Sequence, residues 1–114
     1  MHTKKFEIGM ASGKNRNLTI KLKGDVDSTT LMKLFDLLER VEQVRIFLFD
    51  LSCVKTLGST GVGKLQEMVE VFEKQGKRIG FVNLNKQVQI VFTMMGVNQT
   101  FRVFKTVDEA LTQI

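Results

Sequence analysis

The chain has 114 residues, 43% hydrophobic and 25% charged, the size and balance of one soluble globular domain spanning residues 1–114. Its single cysteine, Cys53, excludes an internal disulfide, and no apolar run approaches the ~18 residues of a membrane span. The formal charge of +5 gathers near the start, yet no aromatic residue interleaves Lys14, Arg16, Lys21 and Lys23, so direct nucleic-acid binding is not expected.

Residues 5–11 alternate, with Phe6, Ile8 and Met10 set against Lys5, Glu7 and Gly9. Residues 18–23 repeat the pattern, with Leu18, Ile20 and Leu22 set against Thr19, Lys21 and Lys23. Period two predicts two half-buried strands joined by a loop over residues 12–17, an N-terminal hairpin. Gly24 to Ser28 breaks the alternation, and Asp27 or Ser28 is placed to cap a helix from about Thr29 to Val41. That helix puts Leu31, Leu34, Phe35, Leu38 and Val41 on one face.

Arg45 to Leu51 holds the run Ile46-Phe47-Leu48-Phe49, which reads as a central strand covered on both faces. Ser52 to Leu57 reads as a polar connection that delivers Gly58-Ser59-Thr60-Gly61 to a second helix, about Thr60 to Gln75. This helix buries Val62, Leu65, Val69 and Phe72, and Gly76 is its stop. Arg78 to Leu84 is the next strand. Asn85 caps a third helix with Val88, Val91, Phe92 and Met95 on its buried face, ended by Gly96. Phe101 to Phe104 forms a short strand. Thr106 and Glu109 have capping-box spacing and start a terminal helix that buries Val107, Ala110, Leu111 and Ile114.

The order β-β-α-β-α-β-α-β-α predicts an α/β fold, a mostly parallel sheet with the hairpin as its antiparallel edge. The open edge of that hairpin is available to another chain, but oligomeric state is not fixed by the sequence.

The turn before the second helix has two readings. Gly58 to Lys64 matches G-x-x-x-x-G-K, whose backbone N–H groups and lysine wrap phosphates in nucleotide-binding domains. Against it, Leu65 stands where a hydroxyl should ligate magnesium, Ser52 to Leu57 separates the turn from its strand, and no apolar strand ending in Asp lies downstream.

The second reading is a resemblance. Phe49-Asp50-Leu51-Ser52, Val54 and Ser59-Thr60-Gly61-Val62-Gly63-Lys64-Leu65 resemble the STAS pattern DLS-x-V-x-x-(I/L)-D-S-(S/T)-G-(L/V)-x-x-L. Gly24 to Asp27 is similar to that family's entry into its first helix, Arg78 to Leu84 to its next strand, and Phe104 to Leu111 to its terminal F-x-(S/T)-(V/L)-(D/E)-E-A-L. STAS domains include bacterial anti-sigma factor antagonists and the C-terminal domains of sulfate transporters. In the switched members, an anti-sigma factor that is also a serine kinase phosphorylates the serine of this turn, and a serine phosphatase resets it.

The resemblance implies Ser59 as the phosphoacceptor, with Thr60 as the alternative. It implies partner contacts at Gly58, Ser59, Thr60, Gly61 and Val62, and at Asp25 and Asp27. The family's aspartate before the serine is Gly58 here, which removes a carboxylate and leaves an unphosphorylated scaffold in a larger complex or transport system as the alternative role. Asp25 and Asp27 lack the further ligands of a metal site. His2 stands alone at the terminus, so no acyl-transfer triad is available, and no catalysis and no cofactor are expected. Cys53 reads as a small apolar filler and Met94 as the one exposed methionine of its pair. Without a secretory signal in Met1 to Phe6, the expected location is the cytoplasm.

Overall fold

The expected alternation of strands and helices is present in the computed structural model, which describes the backbone of residues 6–13 and all atoms of residues 16–114. The elements are β1 (Phe6–Gly13), β2 (Asn17–Val26), α1 (Ser28–Glu39), β3 (Ile46–Leu57), α2 (Ser59–Lys74), β4 (Arg78–Val82), α3 (Lys86–Met95), β5 (Arg102–Phe104) and α4 (Val107–Gln113). They form one five-stranded sheet in sequential order, with β1 antiparallel to β2 and the other three pairings parallel. His2, Lys4, Lys5 and Lys14, and the alternating side chains assigned to residues 5–11, lie outside the described residues.

Alternation along each strand splits the interior in two. Ile20, Phe47, Phe49, Ile79 and Phe81 meet α1, α2 and α3 on one face, while Leu48 and Val82 meet Ala110 of α4 on the other. Five phenylalanines (Phe47, Phe49, Phe72, Phe81, Phe92) are fully enclosed on the first face. Phe81 stacks on Phe101 at 4.6 Å between ring centroids and on Phe49 at 5.7 Å, and Phe92 meets Phe101 edge-on at 5.3 Å. Each such ring contributes roughly 1.5–3 kcal/mol through burial, so this face carries most of the stability. Lys77 closes the far end, its ammonium 5.5 Å from the Phe47 centroid and donating to the Val41 carbonyl.

Several boundaries move. β2 does not stop at Lys23 but pairs as far as Val26, and β3 does not end at Leu51 but continues to Leu57. The six residues from Ser52 to Leu57 are strand because β2 supplies their partners, with Gly24 opposite Val54 and Val26 opposite Leu57. The pairing is interrupted by bulges on either side of Lys23 and Gly24, and Gly24 takes φ +87°, a conformation open to glycine. Cys53 is therefore an exposed residue on the bulged extension, not an apolar filler.

The helix ends also differ. Met95 is 41% exposed, because Gly96 turns the chain through a left-handed conformation and Val97 takes the core position instead. Leu111 faces solvent as well, since α4 is short and rests on the sheet mainly through Ala110. The Thr106 hydroxyl accepts from Glu109 N–H as expected, but the Glu109 carboxylate takes the Lys105 N–H at 2.8 Å rather than closing on Thr106.

Candidate functional site

The long β2–β3 extension carries two helix starts to one end of the sheet. At the first, Asp27 is the N-cap of α1: its carboxylate accepts from Thr30 N–H at 2.9 Å while Thr30 Oγ1 accepts from Asp27 N–H at 3.0 Å. That backbone hydrogen bond from Thr30 holds the Asp27 carboxyl below its ordinary range. Two residues earlier, Asp25 accepts from the Thr56 hydroxyl at 2.8 Å and so ties β2 to the end of β3. Both acids have structural tasks at the rim of the site. Among the described residues, no group of three or more His, Cys, Asp or Glu is placed to hold a metal.

At the second start, Gly58 is the N-cap of α2, with extended backbone (φ −94°) and no side chain to accept a hydrogen bond. Ser59 is thus the first helical residue, not the cap. The first helical bond runs from Val62 N–H to Gly58 C=O at 3.0 Å, so the N–H groups of Ser59, Thr60 and Gly61 have no partner within the helix. Gly58, Ser59 and Thr60 are exposed, and the Ser59 hydroxyl makes no hydrogen bond to a described residue. Gly61 and Val62 are buried beneath them. A Cβ on Gly61 would sit 3.2 Å from the Val26 carbonyl oxygen, 2.7 Å from Leu57 Cδ1 and 3.9 Å from Asp27 Cα. The missing side chain lets the first turn of α2 press against the β2–α1 junction. The structure therefore brings Gly58 to Val62 together with Asp27, as an exposed rim above a buried footing.

Leu65 is buried against the core and Lys64 is held by Glu67 at 2.9 Å. The supposed gap between strand and turn does not exist, because β3 runs to Leu57. The helix, however, begins at Ser59, so Ser59 to Lys64 winds as α2 and leaves no open loop to wrap a nucleotide's phosphates.

Sequence reasoning missed the polar girder behind this site. β3 pairs with β4 only as far as Asp50 opposite Val82. Beyond it, Asn85 donates to the Val54 carbonyl at 2.8 Å and the Ser52 carbonyl at 3.3 Å, while its own oxygen caps α3 at Val88 N–H. Asp50, 9% exposed, accepts from Ser52 N–H at 2.9 Å and from the Asn83 amide at 3.2 Å, and Asn83 takes φ +56° to reach it. Each bond satisfies a group that β3 would otherwise expose where its neighbour strand stops. The Asn83-Leu84-Asn85 spacing was the available signal, but only its capping role was visible in one dimension.

No helix of the described residues is long and apolar enough to cross a membrane. No protein with a curated description matches the chain significantly. Among solved structures, an anti-sigma factor antagonist from Mycobacterium paratuberculosis superimposes with a TM-score of 0.76 at 23% identity, covering 95% of this chain and 92% of its own. The Bacillus cell-fate determinant SpoIIAA in its phosphorylated form gives 0.69 at 16% identity, over 94% and 98% of the two chains. A sulfate transporter family protein from Wolinella succinogenes gives 0.76 at 20% identity, over 90% and 87%. These likenesses establish the shared fold, and the STAS domain family model matches residues 10–110. The chain belongs to the STAS domain family.

Proposed function

We propose that this STAS domain is an anti-sigma factor antagonist that binds an anti-sigma factor with serine-kinase activity through the exposed Gly58, Ser59 and Thr60, seated on the buried Gly61 and Val62, with Asp25 and Asp27 at the margin. Ser59 is the phosphoacceptor and Thr60, exposed one residue later, the alternative. The observation that carries the reading is the exposed, uncapped start of a 16-residue helix with a free serine hydroxyl on its first residue. In the transfer, Ser59 Oγ attacks the γ-phosphorus of the kinase's ATP, gives up its proton and releases ADP. A serine phosphatase hydrolyses the ester and returns the hydroxyl.

The local physics favours a switch that leaves the domain folded. A phosphoserine here brings about −1.5 to −2 charges to N–H groups and a helix dipole that stabilise an anion. The same charge and bulk stand in the middle of the docking rim, where desolvation and misfit oppose the partner. Such a cycle operates on cytoplasmic sigma factors, which sets the location. Gly58 favours a second reading, an unswitched scaffold in a larger complex or transport system, because the turn carries no carboxylate beside the serine.

The test is capture of partners from the native host by wild type and by Ser59→Asp, with bound proteins identified by mass spectrometry. Wild type should retain a kinase-like anti-sigma factor. The variant should lose at least tenfold in affinity, ~1.4 kcal/mol, with unchanged far-UV circular dichroism. Equal retention of a transporter or scaffold component by both proteins favours the second reading and removes the switch.

A further inference from the structure

A cleft of about 510 Å³ opens at the carboxyl ends of β4 and β5, sharing no residue with the Gly58–Val62 rim. Helix α3 leaves β4 toward the aromatic core and α4 leaves β5 toward the opposite core. The cleft lies between them at the carboxyl ends of the parallel strands, in a sheet whose strand order is sequential throughout. Its volume falls within the ~300–1,000 Å³ of small-molecule sites.

The lining indicates what chemistry would fit. Buried Phe92 forms the floor, and the half-buried Leu84 and Phe104 and the partly exposed Val103 supply apolar walls. Two amides each commit one of their two N–H donors within the protein, Asn83 to the Asp50 carboxylate at 3.2 Å and Gln89 to the Leu84 carbonyl at 3.0 Å. Their carbonyl oxygens remain as acceptors without a described partner. The Thr93 hydroxyl and the Asn98 amide, both exposed, likewise bond to no described residue. Lys105 and Glu109 are the only ionisable residues of the lining, and their charges cancel. A multiply charged ligand would therefore lose hydration without a matching field, whereas a neutral hydrogen-bonding one would not.

We infer that this cleft binds a small neutral molecule that presents N–H donors beside a carbonyl on an apolar ring, a carboxamide-like edge. Such a ligand places its N–H groups on the oxygens of Asn83 and Gln89, its carbonyl toward Asn98 or Thr93, and its ring between Leu84 and Val103.

The probe is nicotinamide, titrated into the full ¹⁵N-labelled chain, with nicotinate as the charged counterpart. Nicotinamide should shift the backbone amides of Leu84, Thr93, Val103 and Lys105 with a Kd of roughly 1 mM, and nicotinate should bind at least tenfold more weakly. Thr93→Phe, which fills the cleft from the exposed side of α3, should abolish the shifts and leave distant resonances in place. If that variant does not fold, Asn98→Phe in the exposed α3–β5 connection serves the same purpose. Absence of shifts with nicotinamide, shifts mapping elsewhere, shifts that survive filling, or an equal response to nicotinate would each overturn the inference.

Discussion

Helices α1 and α2 begin side by side at the same end of the sheet, yet their ends are built on opposite principles. Asp27 and Thr30 close reciprocally over the start of α1. α2 begins on a bare glycine, with no side-chain cap and no acidic residue in its first turn. Asn85 and Thr106 cap α3 and α4 in the ordinary way, so α2 is the exception among the described helices. An absent cap gives up up to ~1 kcal/mol relative to residues that accept a hydrogen bond, although glycine itself forgoes only a few tenths. In return, the first-turn N–H groups stay available, with no capping side chain over them. Capped ends hold the scaffold; the open end is the one we propose for the partner.

The most disruptive way to break this contrast is to spoil the footing of the open end. Gly61→Val forces a branched side chain against the Val26 carbonyl and Leu57, and should cost about 1–3 kcal/mol in denaturant unfolding. Partner retention should fall with it, because the rim shifts relative to α1. Gly63, two residues on, has nothing within 4 Å of a built Cβ. Gly63→Ala should therefore stabilise α2 by roughly 0.5–1 kcal/mol, and a loss there equal to that of Gly61→Val would show that helix propensity, not the junction, is responsible.

A smaller effect comes from the girder. Asn85→Ala removes a cap and two anchors of the β3 extension, with an expected loss of about 1–2 kcal/mol. Asn85→Asp separates the two roles. It retains the acceptor for Val88 N–H but faces the Ser52 and Val54 carbonyls without a donor. If α3 capping is all that matters, Asn85→Asp should melt like wild type. If the anchor matters, it should melt with Asn85→Ala, and the amides of Ser52 to Leu57 should exchange faster than those of β4.

The order of elements was legible in the sequence because each helix carries its 3.6-residue stripe and the central strands are continuously apolar. The extension of β3 was not. Its buried residues, Val54 and Leu57, are three positions apart rather than two, and its partners on β2 lie some thirty positions away, across two bulges. Ser59 was found through the turn around it, but its place as first helical residue rather than cap depends on where the strand stops. The cleft was invisible for a related reason. Asn83, Thr93, Asn98 and Glu109 carry no shared spacing and meet only because α3 and α4 leave the sheet on opposite faces.

The smallest structural change asks the sharpest functional question. Gly58 has extended backbone and open space around a built Cβ, so Gly58→Asp enters without strain. Its carboxylate can accept from the N–H of Thr60 or Gly61, and stability should rise by only a few tenths of a kcal/mol, about 1–2 °C in Tm. The effect on the switch should be larger, because the carboxylate stands beside the attacking hydroxyl. With the host kinase and ATP, phosphorylation of Ser59 should quicken several-fold, followed by intact-mass spectrometry, while the affinity of the unphosphorylated domain for that kinase falls by less than the tenfold expected of Ser59→Asp. A slower reaction would mean that the new carboxylate occupies the N–H groups that receive the phosphate. Gly58 would then be the residue that keeps this helix end open for phosphorylation, not the one that dulls it.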